Sequence, residues 1–142
     1  MILYLDTSAV VKLYAVEFRS AEVRRLFADA QQVASSLIAY TETRSALARK
    51  NRMRQMSDEQ FKISKSYFED DWANFNKIPL DANLVRLAGD LAETYDLKAY
   101  DAVHLACAYQ MHREVRAPMR FACFDASLNR AASMLGLKTW QR

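Results

Sequence analysis

The sequence contains few of the residues that interrupt regular secondary structure, with only two glycines and two prolines among its 142 residues. Because these two residue types are the strongest local breakers of helices and strands, their scarcity predicts short connections and much helix. Internal repeats, low-complexity tracts and linker-like segments are also lacking. We therefore expect one domain over residues 1–142, a length that is sufficient to bury a hydrophobic core.

Cysteines and long apolar runs are scarce as well. The two cysteines, Cys107 and Cys123, are too few for a disulfide framework, and their apolar surroundings are typical of small core residues. No apolar run is long enough to cross a membrane and no secretory signal peptide is evident, so we expect a cytoplasmic protein without a membrane partner. The net charge of +3 permits a nucleic-acid partner without requiring one.

Apolar, strand-like segments alternate with amphipathic, helix-like segments along the chain. The first segment, residues 2–5, is apolar throughout, which indicates a strand buried on both faces of a parallel sheet. Further strands are predicted near residue 33 and over 77–80, 120–124 and 137–140. Helices are predicted over 7–14, 20–30, 37–50, 57–75, 81–95, 101–109 and 126–135. The alternation predicts an α/β fold with three layers, α/β/α, around a mainly parallel central sheet.

Four acidic residues stand at comparable places in these elements. Asp6 and Asp125 each follow a buried strand and precede a helix. Asp101 lies in the first turn of a predicted helix, and Glu42 lies near the start of another. Because the carboxyl ends of parallel strands gather at one edge of the sheet, we expect the four carboxylates to converge there. Unpaired carboxylates would repel one another, and oxygen ligands of this kind favour Mg²⁺, with Mn²⁺ as a substitute.

Each acid also has a plain structural interpretation. An acid just after a strand is often only a helix cap, as we expect for Asp81, and a lone Glu42 is typical of a solvated helix face. The context favours a shared site, because Asp6 and Asp125 end the two most apolar strands and Asp101 enters the helix with the fewest charges. A divalent metal bound at such a site would turn a water molecule into a nucleophile against a phosphodiester.

Four segments, taken in order, closely resemble the motifs of the PIN-domain ribonucleases, especially the VapC-like toxins of toxin–antitoxin pairs. They are residues 5–14 (LDTSAVVKLY), 41–47 (TETRSAL), 97–106 (LKAYDAVHLA) and 124–132 (FDASLNRAA), the last followed by LGL at 135–137. Each segment alone is a weak signal, whereas four of them in order at this spacing are a strong one.

The resemblance implies a three-layer PIN fold and an Mg²⁺-dependent endoribonuclease that cleaves RNA with a metal-activated water. Asp6, Glu42 and Asp101 match the three main acids of the family. Asp125 matches a fourth, more variable acid, so these four residues are the expected catalytic and metal-binding set. The resemblance also implies a small VapB-like antitoxin as a partner, and commonly a homodimer of the toxin.

Other residues near the acids are candidates for supporting roles. The resemblance places Thr7 or Ser8 as a hydroxyl that supports the first acid. Arg44 is close in sequence to Glu42 and is the expected contact to the substrate or to an acid. Asn129, one helical turn beyond the fourth acid, would hold a metal-bound water or an acid.

A histidine and a basic run near the predicted acids each have two possible interpretations. His104, three residues after Asp101, either contacts the same pocket or is an ordinary packed or surface residue. The basic run from Arg49 to Arg54 either binds RNA phosphates near the metal or forms the solvated, cationic end of a helix.

We therefore predict a metal-dependent endoribonuclease, the toxin of a VapBC-like pair. The alternatives are a PIN-type nuclease that processes RNA or acts on DNA, and a non-catalytic, metal-binding α/β regulatory domain. A receiver-like regulator would have paired acids near the first strand and a lysine after a late strand, where this chain has Asp125. A phosphatase of the haloacid-dehalogenase type would need an aspartate where Ser8 stands.

Overall fold

The computed structural model describes residues 1–140 and confirms the α/β architecture. Within these residues four strands and seven helices alternate along the chain. Their bounds are β1 Ile2–Leu5, α1 Thr7–Tyr14, α2 Ser20–Asp29, β2 Gln32–Ser36, α3 Ala39–Arg52, α4 Asp58–Trp72, β3 Asn76–Ile78, α5 Ala82–Tyr95, α6 Ala99–Glu114, β4 Met119–Ala122 and α7 Ala126–Met134. None of these helices is both long enough and apolar enough to span a membrane.

The strands form one parallel sheet in the order β3-β2-β1-β4. All four residues of β1 are buried, because the strand has a neighbour on each side and helices above and below. The predicted last strand, residues 137–140, lies beside β4 but forms only one isolated bridge, between Phe121 and Thr139. Two backbone hydrogen bonds flank this bridge, from Phe121 to Lys138 and from Trp140 to Phe121.

Several other boundaries differ from the prediction: α3 and α4 are shifted by one to three residues at their ends, and α6 extends to Glu114, five residues beyond its predicted end. β3 ends at Ile78 rather than at residue 80, since Pro79 has no N–H to continue a ladder. α6 begins at Ala99, two residues before the predicted start, with the backbone of Lys98 as its N-cap. Asp101 still lies in the first turn of that helix, as predicted.

Side chains of β1 point alternately to the two faces of the sheet, and a separate hydrophobic cluster lies on each face. Ile2 and Tyr4 pack with buried residues of α5, α6 and α7, including Leu105. Leu3 and Leu5 face the opposite side, where they join residues of α1 and α4. Helices therefore cover both faces of the sheet, which confirms the three-layer α/β/α fold.

The parallel arrangement brings the carboxyl ends of β1, β2 and β4 to one edge of the sheet. The backbone N–H of Asp6, the residue after β1, donates to the carbonyl of Ala122, the last residue of β4. α3 follows β2, and α6 packs against β2. The first turns of α1, α3, α6 and α7 consequently surround this edge.

Candidate active site at the carboxyl edge of the sheet

Asp6 is fixed at the N-terminus of α1 by two hydrogen bonds. Its Oδ1 atom accepts from the backbone N–H of Ala9 at 2.9 Å and from the hydroxyl of Ser8 at 2.7 Å. The side chain is a helix cap, and it is also buried. Burial raises the pKa of Asp6, and the charge of Asp101 raises it further, while nearby His104 and the two hydrogen bonds act in the opposite direction.

Glu42 extends from the first turn of α3 into a network of polar side chains. Its Oε1 atom accepts a hydrogen bond from the hydroxyl of Thr7 at 2.6 Å and lies 3.1 Å from Nε2 of His104. Burial by itself would raise the pKa of Glu42, but the hydrogen bonds from His104 and Thr7 outweigh it and lower the pKa. This acid is therefore held as a carboxylate in one orientation.

His104 connects this network to the centre of the sheet. The ring is buried, with its Nε2 atom 2.9 Å from the hydroxyl of Thr7 and its Nδ1 atom 3.0 Å from the hydroxyl of Tyr4. Because Thr7 donates its proton to Glu42, its oxygen accepts from His104, and we assign the hydrogen to Nε2. Nδ1 then accepts from Tyr4, whose hydroxyl stays protonated because burial raises its pKa.

Asp101 lies within the electrostatic range of the other three acids. Burial raises its pKa, and the charges of Asp125 and Glu42 raise it further, while His104 and Lys98 act in the opposite direction. Asp6 and Asp101 also interact directly as like charges. The structure thus brings the four predicted acids to one edge, as the sequence pattern indicated.

Asp125 is the most exposed of the four acids, and it caps α7. Its Oδ1 atom accepts from the backbone N–H of Leu128 at 2.9 Å. Asn129 does not hold an acid among residues 1–140. Its amide nitrogen donates to the carbonyl of Cys123 at 3.2 Å, a carbonyl that also accepts from the indole N–H of Trp140 at 2.8 Å. Both residues therefore position the chain just before Asp125.

Of the four predicted supporting residues, Thr7 and Ser8 contact the site acids, whereas Arg44 and Asn129 do not. Thr7 supports Glu42, and Ser8 supports Asp6, so the two hydroxyls divide between two acids. Arg44 points its guanidinium to the hydroxyl of Tyr40 at 2.6 Å and to Glu69 at 3.1 Å. The acid that pairs with Arg44 is therefore on α4, because the helical turn after Glu42 faces that helix.

The chemistry of this donor set fits a hard divalent cation. The four acids offer only carboxylate oxygens, and the pKa of Asp101 is raised first by burial and then by the charges of Asp125 and Glu42. In the described part of the chain, no three acidic, histidine or cysteine side chains already form a coordination group. A cation would relieve the repulsion, and it would require the carboxylates to approach each other.

Tyr4 and His104 are the site residues for which sequence reasoning had little evidence. The sequence left two interpretations of His104 open, and the structure places its side chain in the pocket, in contact with Glu42. Tyr4 carried one usable signal, since a buried tyrosine in an otherwise aliphatic strand requires a partner for its hydroxyl. That partner is 100 residues away in the chain, so only the fold identifies it.

Comparisons with known proteins agree with this fold and site. A family model for the PIN domain matches residues 3–132. Ribonuclease VapC49 of Mycobacterium tuberculosis strain H37Rv is 36% identical over 107 residues, which cover 75% of this chain and 74% of VapC49. The chain therefore belongs to the PIN domain family and, within it, to the VapC ribonucleases.

Solved structures support the same fold. Mycobacterium tuberculosis VapC20, a Sarcin-Ricin loop cleaving toxin, matches with a TM-score of 0.64 at 18% identity over 91% of this chain and 94% of that one. A toxin–antitoxin complex from Klebsiella pneumoniae matches with a TM-score of 0.58 at 21% identity, over 87% and 86% of the respective chains. At these identities the similarity shows a shared fold.

Proposed function

We propose that this protein is an Mg²⁺-dependent endoribonuclease and the toxin of a toxin–antitoxin pair. The observation that carries the proposal is the convergence of Asp6, Glu42, Asp101 and Asp125 at one sheet edge, in a chain of the VapC ribonuclease family. The pKa of Asp101, raised first by burial and then by the charges of Asp125 and Glu42, supports a site in which a cation would stabilise the carboxylates. RNA is the substrate class because the relatives that match this chain are ribonucleases.

The four carboxylates would hold the metal, and Mn²⁺ would replace Mg²⁺ there because both accept oxygen ligands. A bound ion of this kind activates water and neutralises charge on a phosphodiester. Asp6 and Glu42 would be the ligands held in the most definite positions, since each accepts two hydrogen bonds at one oxygen. Their second oxygens receive no side-chain hydrogen bond within residues 1–140 and keep lone pairs for a ligand.

The chain's own residues prepare the site before any ligand binds. Ser8 and the N-terminus of α1 hold Asp6, and the Tyr4–His104–Thr7 chain holds Glu42. Fixing the carboxylates in advance reduces the ordering that must accompany substrate binding. The residues that surround these acids thus orient them and take no part in moving protons in this proposal.

A small antitoxin protein is the proposed partner. The similarity in fold to a chain of the Klebsiella pneumoniae toxin–antitoxin complex supports it. We propose that the antitoxin covers the acidic pocket and inserts a cation among the carboxylates, because a positive charge there would relieve the same repulsion as a metal. A homodimer in the cytoplasm remains part of this proposal.

Cleavage of a mixed pool of structured RNA tests the proposal. The pool is incubated with wild type or Asp6→Asn, each with Mg²⁺, with Mn²⁺ and with chelator. The matched control is Asp81→Asn, because Asp81 caps α5 through the same contact that Asp6 makes in α1, 2.9 Å to a backbone N–H, but is outside the acidic site.

We expect wild type and Asp81→Asn to cleave with either metal, and Asp6→Asn to be inactive, because it lacks a charge that the metal needs. Removal of one essential group typically lowers a rate by a factor of about 100 or more. Equal cleavage by all three proteins, or cleavage that persists in chelator, would contradict the proposed site.

A further inference from the structure

A groove leads away from the acidic site between α1 and α3. It has a volume of about 450 Å³ and is lined at one end by Thr7 and Ser8, the two hydroxyl residues that hold Glu42 and Asp6. Its lining also includes two cations, Arg49 and Lys50, and the carboxylate of Glu17, which is paired with Lys50. The rest of the lining is Val11, Ala46, Met53 and Gln55. We call this feature, defined by these nine lining residues, the α1–α3 groove.

One face of α3 leads from Glu42, at the acidic site, to Arg49 in the groove. Glu42, Ala46 and Arg49 are separated by four and three residues, the spacing that stacks side chains on one side of a helix. Arg49 lies seven residues beyond Glu42, which corresponds to about 10 Å along the helix axis. The cationic end is therefore near the acidic site without being part of it.

The cations of the basic run have different surroundings. Lys50 is paired with Glu17 at 2.5 Å, and Arg54 is paired with Asp58 at 3.5 Å. Arg49 is exposed, and within residues 1–140 its guanidinium forms no ion pair. An arginine that lines a groove without a carboxylate partner keeps its full donor set for an anion.

We infer that the α1–α3 groove binds a backbone phosphate of the RNA strand next to the phosphodiester held at the acids, with Arg49 as the phosphate ligand. This inference rests on the proposed nuclease function. A strand placed at the acids must leave along a wall of the site, and this wall carries cations. Arginine pairs with phosphate through two parallel hydrogen bonds, and the positive charge offsets the repulsion between the acids and RNA.

Each of the two interpretations of the basic run, phosphate binding and a solvated helix end, therefore applies to different residues of the run. Arg49 serves the substrate, with Lys50 beside it as a cation that Glu17 keeps in place. Arg52 lies outside the groove lining and is exposed, as expected of a solvated helix end. Arg52 therefore offers a matched control, with the same charge on the same helix.

Equilibrium binding measurements distinguish the contribution of Arg49 to RNA affinity from that of Arg52. A short, fluorescently labelled single-stranded RNA is titrated with Asp6→Asn, which is used because it should not cleave, and with the same protein carrying Arg49→Ala, Arg49→Lys or Arg52→Ala. Fluorescence anisotropy is measured in chelator from about 50 to 200 mM salt. Circular dichroism confirms that each variant is folded, and cleavage of the RNA pool is measured in parallel with Asp6 intact.

We expect Arg49→Ala to weaken binding roughly fivefold and to reduce the slope of log affinity against log salt by about 0.7, the value for one lost phosphate contact in a single strand. Arg49→Lys should keep the slope and recover part of the affinity, because the charge remains but the paired hydrogen bonds do not. Arg52→Ala should bind as its parent does.

Three results would overturn the assignment. If the protein with Asp6 intact cleaves RNA but Arg49→Ala and Arg52→Ala bind equally, the groove inference fails and the nuclease function stands. If no variant binds or cleaves RNA, the function fails together with the inference. The same variants are also titrated with labelled polyglutamate; if Arg49→Ala weakens its binding by the same factor as binding of RNA, the groove accepts any acidic chain, and the assignment to RNA phosphate is wrong.

Discussion

His104 places its Nε2 atom 3.1 Å from Oε1 of Glu42, although 62 residues separate them in the chain. His104 belongs to the third of the four family-like segments and Glu42 to the second. Thr7, of the first segment, forms hydrogen bonds with both side chains. Three separate helices thus meet through one imidazole. The Tyr4 hydroxyl fixes the other side of that ring from the central strand.

We predict that His104→Ala will lower cleavage at saturating RNA at least tenfold while the KM for RNA changes little. The imidazole positions Glu42 and does not face the proposed strand path, so its loss should act on the reaction more than on binding. Steady-state kinetics on a defined RNA product would separate kcat from KM. His104→Gln, whose amide can still donate to Glu42, should recover part of the rate; no recovery would argue that the ring is only structural.

We predict that Thr7→Val will lower cleavage at least tenfold and will lower the free energy of unfolding by no more than the hydrogen bonds it removes contribute. Valine has nearly the shape of threonine, but it cannot donate to Glu42 or accept from His104. A typical hydrogen bond to a charged group contributes about 1.5–3 kcal/mol. Cleavage assays with urea denaturation as a stability check would test this, and unchanged cleavage would show that the hydroxyl is dispensable.

Thr43→Val is the matched control, and it carries a prediction of its own. Thr43 is fully buried in α3, and its hydroxyl oxygen has no hydrogen-bond partner within residues 1–140. Replacing an unpaired buried hydroxyl with a methyl group removes a desolvation penalty of about 1–3 kcal/mol. The free energy of unfolding should therefore rise or stay constant, with cleavage unaltered. A clear loss of stability in urea would contradict the burial of an unpaired group.

We predict that Asp101→Asn will stabilise the metal-free protein at pH 7 and remove stabilisation by Mg²⁺. The pKa of Asp101 is raised by burial and by Asp125, so its charged form is unfavourable when no cation is present. In wild type, Mg²⁺ at 100 times its Kd should add about 2.7 kcal/mol. Thermal unfolding with and without Mg²⁺ measures both effects.

The control for this comparison is Asp90→Asn, which removes an exposed carboxylate from α5, away from the acids. It should keep the full response to Mg²⁺ and the melting temperature of the metal-free wild type. If Asp101→Asn and Asp90→Asn respond to Mg²⁺ equally, Asp101 does not hold the ion.

We predict that Glu17→Gln will destabilise the protein at pH 7 and less so in acid. Burial alone would raise the pKa of Glu17, but hydrogen bonds from Lys50 and Lys12 outweigh it and lower the pKa. A lowered pKa in the folded state means stability that is present above the unfolded-state value of about 4.3 and is lost as the pH falls. Urea midpoints at pH 7 and pH 3.5 should show a difference between the proteins that shrinks in acid.

The positions of three aspartates could be predicted because helix capping is local. Asp6, Asp81 and Asp125 each accept from the backbone N–H three residues ahead, at 2.9 Å in every case. The residue types and the flanking apolar segments contain the information for such a contact. The strand ends near Pro79 and at residue 140 were less predictable, since sheet pairing depends on neighbours that are distant in sequence.

The same limit applies to the polar contacts of the site. Arg44 was expected near an acid, and it is near one, but the partner is Glu69 of α4. Asn129 was expected to hold an acid or a metal-bound water; its amide nitrogen donates to the Cys123 carbonyl, and the water role stays a prediction. In both cases the side chain donates to a group that packs against it, and the order of residues does not specify that group; the Oδ1 atom of Asn129 is buried without a partner within residues 1–140.

The amino-acid order by itself determined the alternation of strands and helices, the burial of β1 and the placement of four acids where elements begin or end, because periodicity and capping act over a few residues. Tertiary structure decided which side chains hold those acids. Tyr4, Thr7, Glu42 and His104 form one network only because a parallel sheet brings their segments to a common edge. Tertiary structure also decided which cation of the basic run lies in the groove with its charge unpaired, since that depends on how α1 packs against α3.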